Sequence, residues 1–344
     1  MKIVENIAKV LLPILIGGVI LWWMYRGMAW EDIRQAVTTD MDWTWMLLSL
    51  PFGITAQLFR ALRWRQALEP MGEKARRSTC INAIFLSYGS SLVVPRVGEF
   101  LRCGVLKRWD GVSFSRGIGT VVTERVVDVL MILVLSGITI LMQLPAFIRI
   151  AQETGMTAEN VLNRFTPTGY LVTALCLLLL VGMTWWVSRR FDFLSKLHGM
   201  FQELKTGIFS IRYIRKRWLF ICYSLGIWVS YFLHFYLTFY CFSYTQHLGV
   251  AVALVAFVVG TFAVVVPTPN GAGPWHFAVK TVLVLWGVNQ VDGALFALIV
   301  HTIQTALVAL LGVWSVIALA ISAPIPRGEN KDATSTNHTA QNKS

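Results

Sequence analysis

Seven ionisable residues fall where an apolar sequence should not hold them. Arg60 and Arg63 lie in the word Arg-Ala-Leu-Arg-Trp-Arg at the end of one apolar run, Glu99 and Arg102 follow the break Pro95-Arg96-Val97-Gly98, and Glu124, Arg125 and Asp128 open another run as Thr-Glu-Arg-Val-Val-Asp. Ionisable side chains at membrane depth are costly, face a bundle interior or a wet cavity, and mark a substrate or ion path by default. Their spacing is orderly. Glu99 and Arg102 stand three apart and can pair on one helical face, as can Arg125 and Asp128, while Glu124 and Asp128 share a face. Pro95 and Gly98 sit where a helix begins, so its free N–H groups and positive dipole end can meet an anion. The same residues also suit a structural ion network in which Arg125 bridges Glu99 or Asp128, and a site needs such support. Arg60 and Arg63 read either as lipid-phosphate ligands or as arginines snorkelling to an interface.

A second break, Pro267-Thr-Pro-Asn-Gly-Ala-Gly-Pro, is rich in glycine and poor in charge. Gly271 and Gly273, beside Asn270, allow close backbone approach, and successive N–H groups there form a concavity suited to a phosphate headgroup. His276 is the group at this break that changes protonation near neutral pH, although a membrane histidine is also a common structural hydrogen-bonding group. His301 and Gln304 rank behind it. Asp40 and Asp42 form an acidic pair suited to metal-assisted transfer from a lipid-linked donor, but Asp42 directly precedes Trp43 and reads as a helix N-cap. Phosphate-binding P-loop, nucleophile-elbow and zinc-protease motifs are absent, and the five cysteines show no paired spacing. Neither a metal nor another cofactor is expected.

The elements that must position these residues follow from composition. Of 344 residues, 56% are hydrophobic and 14% charged, with mean hydropathy +0.60, whereas soluble domains carry about 25% charged residues. The net charge of +12 resides in short loops between apolar runs, which reads as membrane topology and excludes a nucleic-acid footprint. Six runs are long enough to cross a bilayer: about 10–25, 43–59, 117–143, 169–188, 218–243 and 292–321. Runs 78–94 and 250–266 instead meet the two Pro/Gly breaks and are followed by short helices, 99–108 and 275–287. Broken backbone in mid-membrane survives only inside protein or beside a wet cavity, so both read as re-entrant helical hairpins; two Pro-kinked ordinary helices are the plainer alternative. Loops 60–77, 102–116 and 189–217 carry net +4, +3 and +6, against −2 for 26–42, zero for 145–168 and −1 for 288–292. The positive-inside rule then places both termini in the cytoplasm of a cell with an inner membrane. Residues 193–211 read as an amphipathic helix on that face.

This topology contains a repeat. Pro95 and Pro267 are 172 residues apart, and the second and fifth runs, like the third and sixth, begin 175 apart. The expected fold is an all-α polytopic membrane protein: six spanning helices and two oppositely oriented re-entrant hairpins in an inverted repeat. One membrane domain covers 1–322, with halves of about 1–144 and 169–322, and 323–344 form a polar, disordered cytoplasmic tail. Inverted halves broken at corresponding places are the sequence mark of a transporter with its site at the midplane.

At Arg60–Trp64, Pro95–Arg102, Thr123–Asp128 and Pro269–Gly273 the chain resembles the lysylphosphatidylglycerol synthase transmembrane family, a flippase-like membrane domain, over about residues 5–322. The resemblance implies movement of lipids between leaflets and a hairpin core containing Pro95, Gly98, Glu99, Arg102, Glu124, Arg125 and Asp128. In the namesakes a separate cytosolic domain transfers an amino acid to lipid; the longest cytoplasmic loop here, 189–217, does not accommodate one. Where relatives usually continue the second tip with Glu, this chain has His276. Some relatives bear glycosyltransferase labels, which keeps a membrane-embedded transferase as the alternative, beside a non-transporting scaffold. The expected partners are anionic membrane lipids, with a second copy of the chain or a separate lipid-modifying enzyme as protein partners.

Overall fold

The computed structural model describes residues 14–153 except 16, 95 and 96, and residues 214–324 except 215 and 267. The fourth expected span, the amphipathic helix at 193–211, Pro95 and most of the polar tail lie outside the described residues. All regular structure among those described is helical: α1 (17–25), α2 (Trp30–Gln35), α3 (Trp43–Leu68), α4 (Arg77–Ser91), α5 (Val97–Asp110), α6 (Phe114–Glu153), α7 (Arg217–Tyr236), α8 (Gly249–Ala263), α9 (Pro274–Leu285) and α10 (Gln290–Ile321).

Four segments are long and apolar enough to cross a membrane: Trp43–Met71, Phe114–Leu144, Arg217–Cys241 and Gln290–Ile321. They coincide with four of the six runs expected from sequence. Loop 26–42 holds helix α2 and a π-turn, Ala36–Asp40, which its acidic composition did not announce. Asp42 accepts a hydrogen bond from the Thr44 amide at 2.8 Å, so it caps α3 as its position before Trp43 suggested.

α4, α5, α8 and α9 have only 15, 14, 15 and 12 residues. At 1.5 Å per residue none exceeds about 23 Å, short of the roughly 30 Å of hydrocarbon. Each break has a backbone cause. A Cβ on Gly98 would collide with the Ser87 carbonyl, so α5 can fold back on α4 only with glycine there. In the other break Asn270 and Gly271 take positive φ (51° and 73°) and Gly273 reaches 92° before Pro274 starts α9. Left-handed backbone keeps the chain from resuming a helix before Gly273, and Pro at the first helical position favours the restart.

The helices pair in a regular way. α4 packs on α5 as α8 does on α9, α3 on α4 as α7 on α8, α5 on α6 as α9 on α10, and α4 on α10 as α8 on α6, while α3 and α7 lie against each other. At the α4–α10 crossing Gly89 and Gly312 bring the two backbones together: a Cβ on either would lie 3.0 Å or less from the other's Cα. One apolar core surrounds α9 with Met46, Phe239, Val282 and Phe296, and a second surrounds α4–α5 with Trp64, Ile84, Leu106 and Val121. Large apolar side chains left outside, including Leu130, Leu133, Leu141, Val313 and Ile317, form the surface a bilayer would cover.

Candidate functional site

The first break gathers the seven ionisable residues that the sequence places at membrane depth. α3 delivers Arg60 and Arg63, α5 delivers Glu99 and Arg102, and α6 delivers Glu124, Arg125 and Asp128. Asp128 receives Arg60 and Arg63 together, each at 2.7 Å. Glu124 receives Arg102 at 2.7 Å and Arg63 at 3.5 Å; these are charge contacts lacking hydrogen-bond alignment, since neither carboxylate oxygen has a hydrogen-bond partner among the described residues. Arg125 meets Glu99 at 3.0 Å and Asp128 at 3.5 Å. Among the described residues four guanidiniums thus face three carboxylates, leaving one net positive charge.

Depth divides the network into two tiers. Arg63, Arg102 and Glu124 are at most 1% exposed, with the Arg102 guanidinium 4.6 Å from the Trp64 ring and the Trp64 indole donating to Thr120 at 3.0 Å. Arg125 and Glu99 keep 45% and 34% of their side-chain surface open. The expected Glu99–Arg102 pair does not form, because the fold-back at Gly98 turns Arg102 toward α6 at Glu124 while Glu99 meets Arg125. Arg60 and Arg63 do not snorkel. They point inward to Asp128, and Arg60 lies 5.7 Å from both the Tyr88 and Tyr231 rings.

The network borders a cavity of about 770 Å³ through its less deeply buried members. Its wall holds Arg60, Glu99, Arg125 and Asp128 from the first break and Asn270, Trp275 and His301 from the second, and continues over Val129, Ile132, Val264, Val265, Val308 and Leu311. Arg63, Arg102 and Glu124 stand behind this wall as braces. The cavity is therefore lined by charged and polar groups together with aliphatic ones.

At the second break hydrogen bonds replace ion pairs. The Asn270 amide donates to Thr305 Oγ1 at 2.7 Å, and a His301 ring nitrogen lies 3.1 Å from the Asn270 carbonyl. Gly271 and Gly273 spend their lack of a side chain on packing: a Cβ on Gly271 would press on Val264, and one on Gly273 on the Gly17 carbonyl of α1. His276 is buried at 3% exposure against His301, ring centroids 4.4 Å apart, and accepts the Gly273 amide at 3.3 Å. These three residues hold the turn and, unlike Asn270, do not line the cavity.

Sequence reasoning passed over Gln57, Tyr88, Tyr231 and His234, which also line the cavity. Gln57 donates to the Tyr231 hydroxyl at 3.0 Å, His234 contacts the Ser49 carbonyl at 2.9 Å, and Gln304 donates to the His234 carbonyl at 3.1 Å. Gln57 stands one turn before Arg60 on the same face of α3, which was a readable signal; the others depend on how α4 and α7 lie against α3. No group of three or more His, Cys, Asp or Glu placed to hold a metal occurs among the described residues.

Apolar helices, a buried ion network and a half-charged cavity define an integral membrane protein with a polar site inside its bundle. The chain belongs to the family described as the lysylphosphatidylglycerol synthase TM region, whose model matches residues 10–312. It is also similar to a protein named Glycosyltransferase AglD from Haloferax volcanii, 27% identical over 106 residues, or 30% of this chain and 17% of that protein. The match thus spans only about a sixth of that relative. No solved structure matches the chain.

Proposed function

We propose that the protein moves an anionic lipid, a phospholipid or a polyprenyl-phosphate-linked lipid, between the leaflets of an inner membrane, with the headgroup passing through the cavity between the two breaks. The observation that carries this reading is the wall itself. Arg60 and Arg125 offer positive charge, Glu99 and Asp128 hold those cations in place, and the aliphatic lining residues suit acyl or prenyl chains. The network's net charge of +1 favours an anionic headgroup, and buried ion networks tolerate such an imbalance poorly without a counter-charge. Arg102, behind the wall, sets Glu124 and through it Arg63.

The architecture is read as six spans with α4–α5 and α8–α9 as re-entrant hairpins entering from opposite sides. The short lengths of these helices and the counterpart pairing of the two halves support an inverted repeat. Loop charges place both termini in the cytoplasm. Alternating access then amounts to one half rocking against the other across the α3–α7 contact.

The test uses full-length protein in liposomes bearing a fluorescent phosphatidylglycerol, with the outer-leaflet label chemically bleached. Wild type is expected to expose the inner-leaflet label and Asp128→Asn to do so far more slowly, with unchanged oligomeric state on gel filtration. Equal rates in both, or no movement by the wild type, sinks the proposal. The similarity to a protein named as a glycosyltransferase supports a second reading, transfer from a lipid-linked donor. That reading relies on Asp40 and Asp42, one of which is already engaged as the α3 cap, and it fails if Asp40→Asn with Asp42→Asn leaves function intact.

A further inference from the structure

Two carboxamides on the wall of the central cavity are held by their nitrogen ends alone. Asn270 Nδ2 donates to Thr305 Oγ1 at 2.7 Å, and Gln304 Nε2 donates to the His234 carbonyl at 3.1 Å. The direction of each bond is fixed by its partner. The His234 carbonyl can only accept, so the nitrogen of Gln304 must face it. The Asn270 backbone carbonyl, 3.1 Å from His301 Nε2, also only accepts, so in the neutral ring Nε2 carries the proton and Nδ1 accepts the Thr305 hydroxyl at 3.3 Å. Thr305, its proton thus committed, takes the nitrogen of Asn270. The oxygen end of each amide is left over. Neither oxygen has a hydrogen-bond partner among the described residues and, unlike the Gln57 oxygen, neither is sealed from solvent. His301, Gln304 and Thr305 share one face of α10, so both amides belong to one patch of wall.

The two breaks therefore offer a headgroup opposite halves of hydrogen-bond chemistry. The first supplies guanidinium donors, Arg60 and Arg125, whose neighbouring carboxylates Asp128 and Glu99 are already taken by those same arginines. The second supplies neutral acceptors. A phosphodiester carries acceptors only, so it satisfies the arginines and leaves the amide oxygens unmatched. A site equipped for hydroxyls discriminates against an analogue lacking them, because its own polar groups lose water without gaining a partner. An ammonium group would bring a second cation beside a network that is already net positive, which Coulomb repulsion disfavours.

We propose that Asn270 and Gln304 select a headgroup bearing hydroxyls beyond its phosphodiester, a polyol or a sugar. The inference rests on the transport reading above: the phosphate meets Arg60 and Arg125, and the hydroxyls donate to the two amide oxygens. A cavity of about 770 Å³ has room for both, since ligand pockets run to about 300–1,000 Å³.

The test uses full-length protein in liposomes containing phosphatidylinositol, phosphatidylmethanol or phosphatidylethanolamine, each labelled on an acyl chain so that the headgroup is intact. The first two carry the same single phosphodiester charge, but only phosphatidylinositol has headgroup hydroxyls. After bleaching of the outer leaflet, wild type is expected to move phosphatidylinositol about tenfold faster than phosphatidylmethanol despite its larger headgroup. Gln304→Met should bring that ratio close to one, whereas Asp128→Asn should slow both anionic lipids. Equal movement of the two by wild type overturns the hydroxyl assignment and leaves the transport reading standing; movement of neither overturns both. A ratio that survives Gln304→Met removes that residue from selection. Phosphatidylethanolamine keeping pace with phosphatidylinositol overturns hydroxyl recognition in favour of any headgroup with a proton to donate.

Discussion

The two broken-helix units solve one geometric problem with opposite chemistry. Around α4–α5 the polar groups are ions, buried and mutually paired. Around α8–α9 they are amides, imidazoles and backbone carbonyls linked by neutral hydrogen bonds, as in Asn270 with Thr305 and His301. Ion pairs are strong only while each partner stays in place, since a lone buried charge is far costlier than a lone buried amide. Loss of one partner is therefore expected to be more damaging in the first unit than in the second. The cavity is walled by both units, with Arg60, Glu99, Arg125 and Asp128 from the first and Asn270, Trp275 and His301 from the second.

The contrast breaks most readily at Glu124. Glu124→Leu leaves Arg102 and part of Arg63 without a counter-charge in a fully buried place, and a loss of about 3–5 kcal/mol is expected, read as a large drop in melting temperature in detergent. A drop no larger than that of any second-unit variant would refute the difference between the units. Gly98→Ala forces a methyl into the Ser87 carbonyl and should be unfavourable by about 1–3 kcal/mol or more, because backbone cannot yield as a side chain can; recovery of normal yield and melting would show the α4–α5 fold-back to be looser than described. In the second unit Asn270→Ala removes one hydrogen bond and leaves a positive φ to a residue with a Cβ, an expected loss of about 1–2 kcal/mol, partly recovered by Asn270→Gly. Failure of glycine to improve on alanine would remove backbone conformation as the reason for Asn270. The smallest stability effect is expected at Glu99, whose pair with Arg125 is half open to solvent: Glu99→Gln should change stability by less than about 1 kcal/mol yet slow lipid movement severalfold. If movement is untouched, the exposed tier is only support.

How much could be read beforehand differs between the two units for the same reason. In the first, Glu124, Arg125 and Asp128 interrupt an apolar run, and an interruption of that kind is visible in one dimension because burial of charge is so costly. The Arg125 contact with Asp128 followed from spacing, and the one with Glu99 was one of two bridges that a structural ion network allowed. The destination of Arg102 did not, since it depends on how far α5 rotates once Gly98 lies under Ser87. In the second unit the glycines and Asn270 advertised a turn, but glycine reads alike whether it makes room for a ligand or for a neighbouring helix. Only the approach of α1 to Gly273 and of Val264 to Gly271 shows that packing takes up that room. His276 was similarly ambiguous until its partners, the Gly273 amide and His301, were in view.

By itself the sequence determined that this is a helical membrane protein, where its helices break, and which charges must be sheltered, because hydropathy, Pro/Gly chemistry and the cost of burying ions act along the chain. Tertiary structure alone decided which arginine meets which carboxylate and that both breaks border one cavity with the tyrosines of α4 and α7. Those outcomes depend on helix rotation and crossing, set by contacts between residues far apart in sequence, such as Gly89 with Gly312 and α3 with α7.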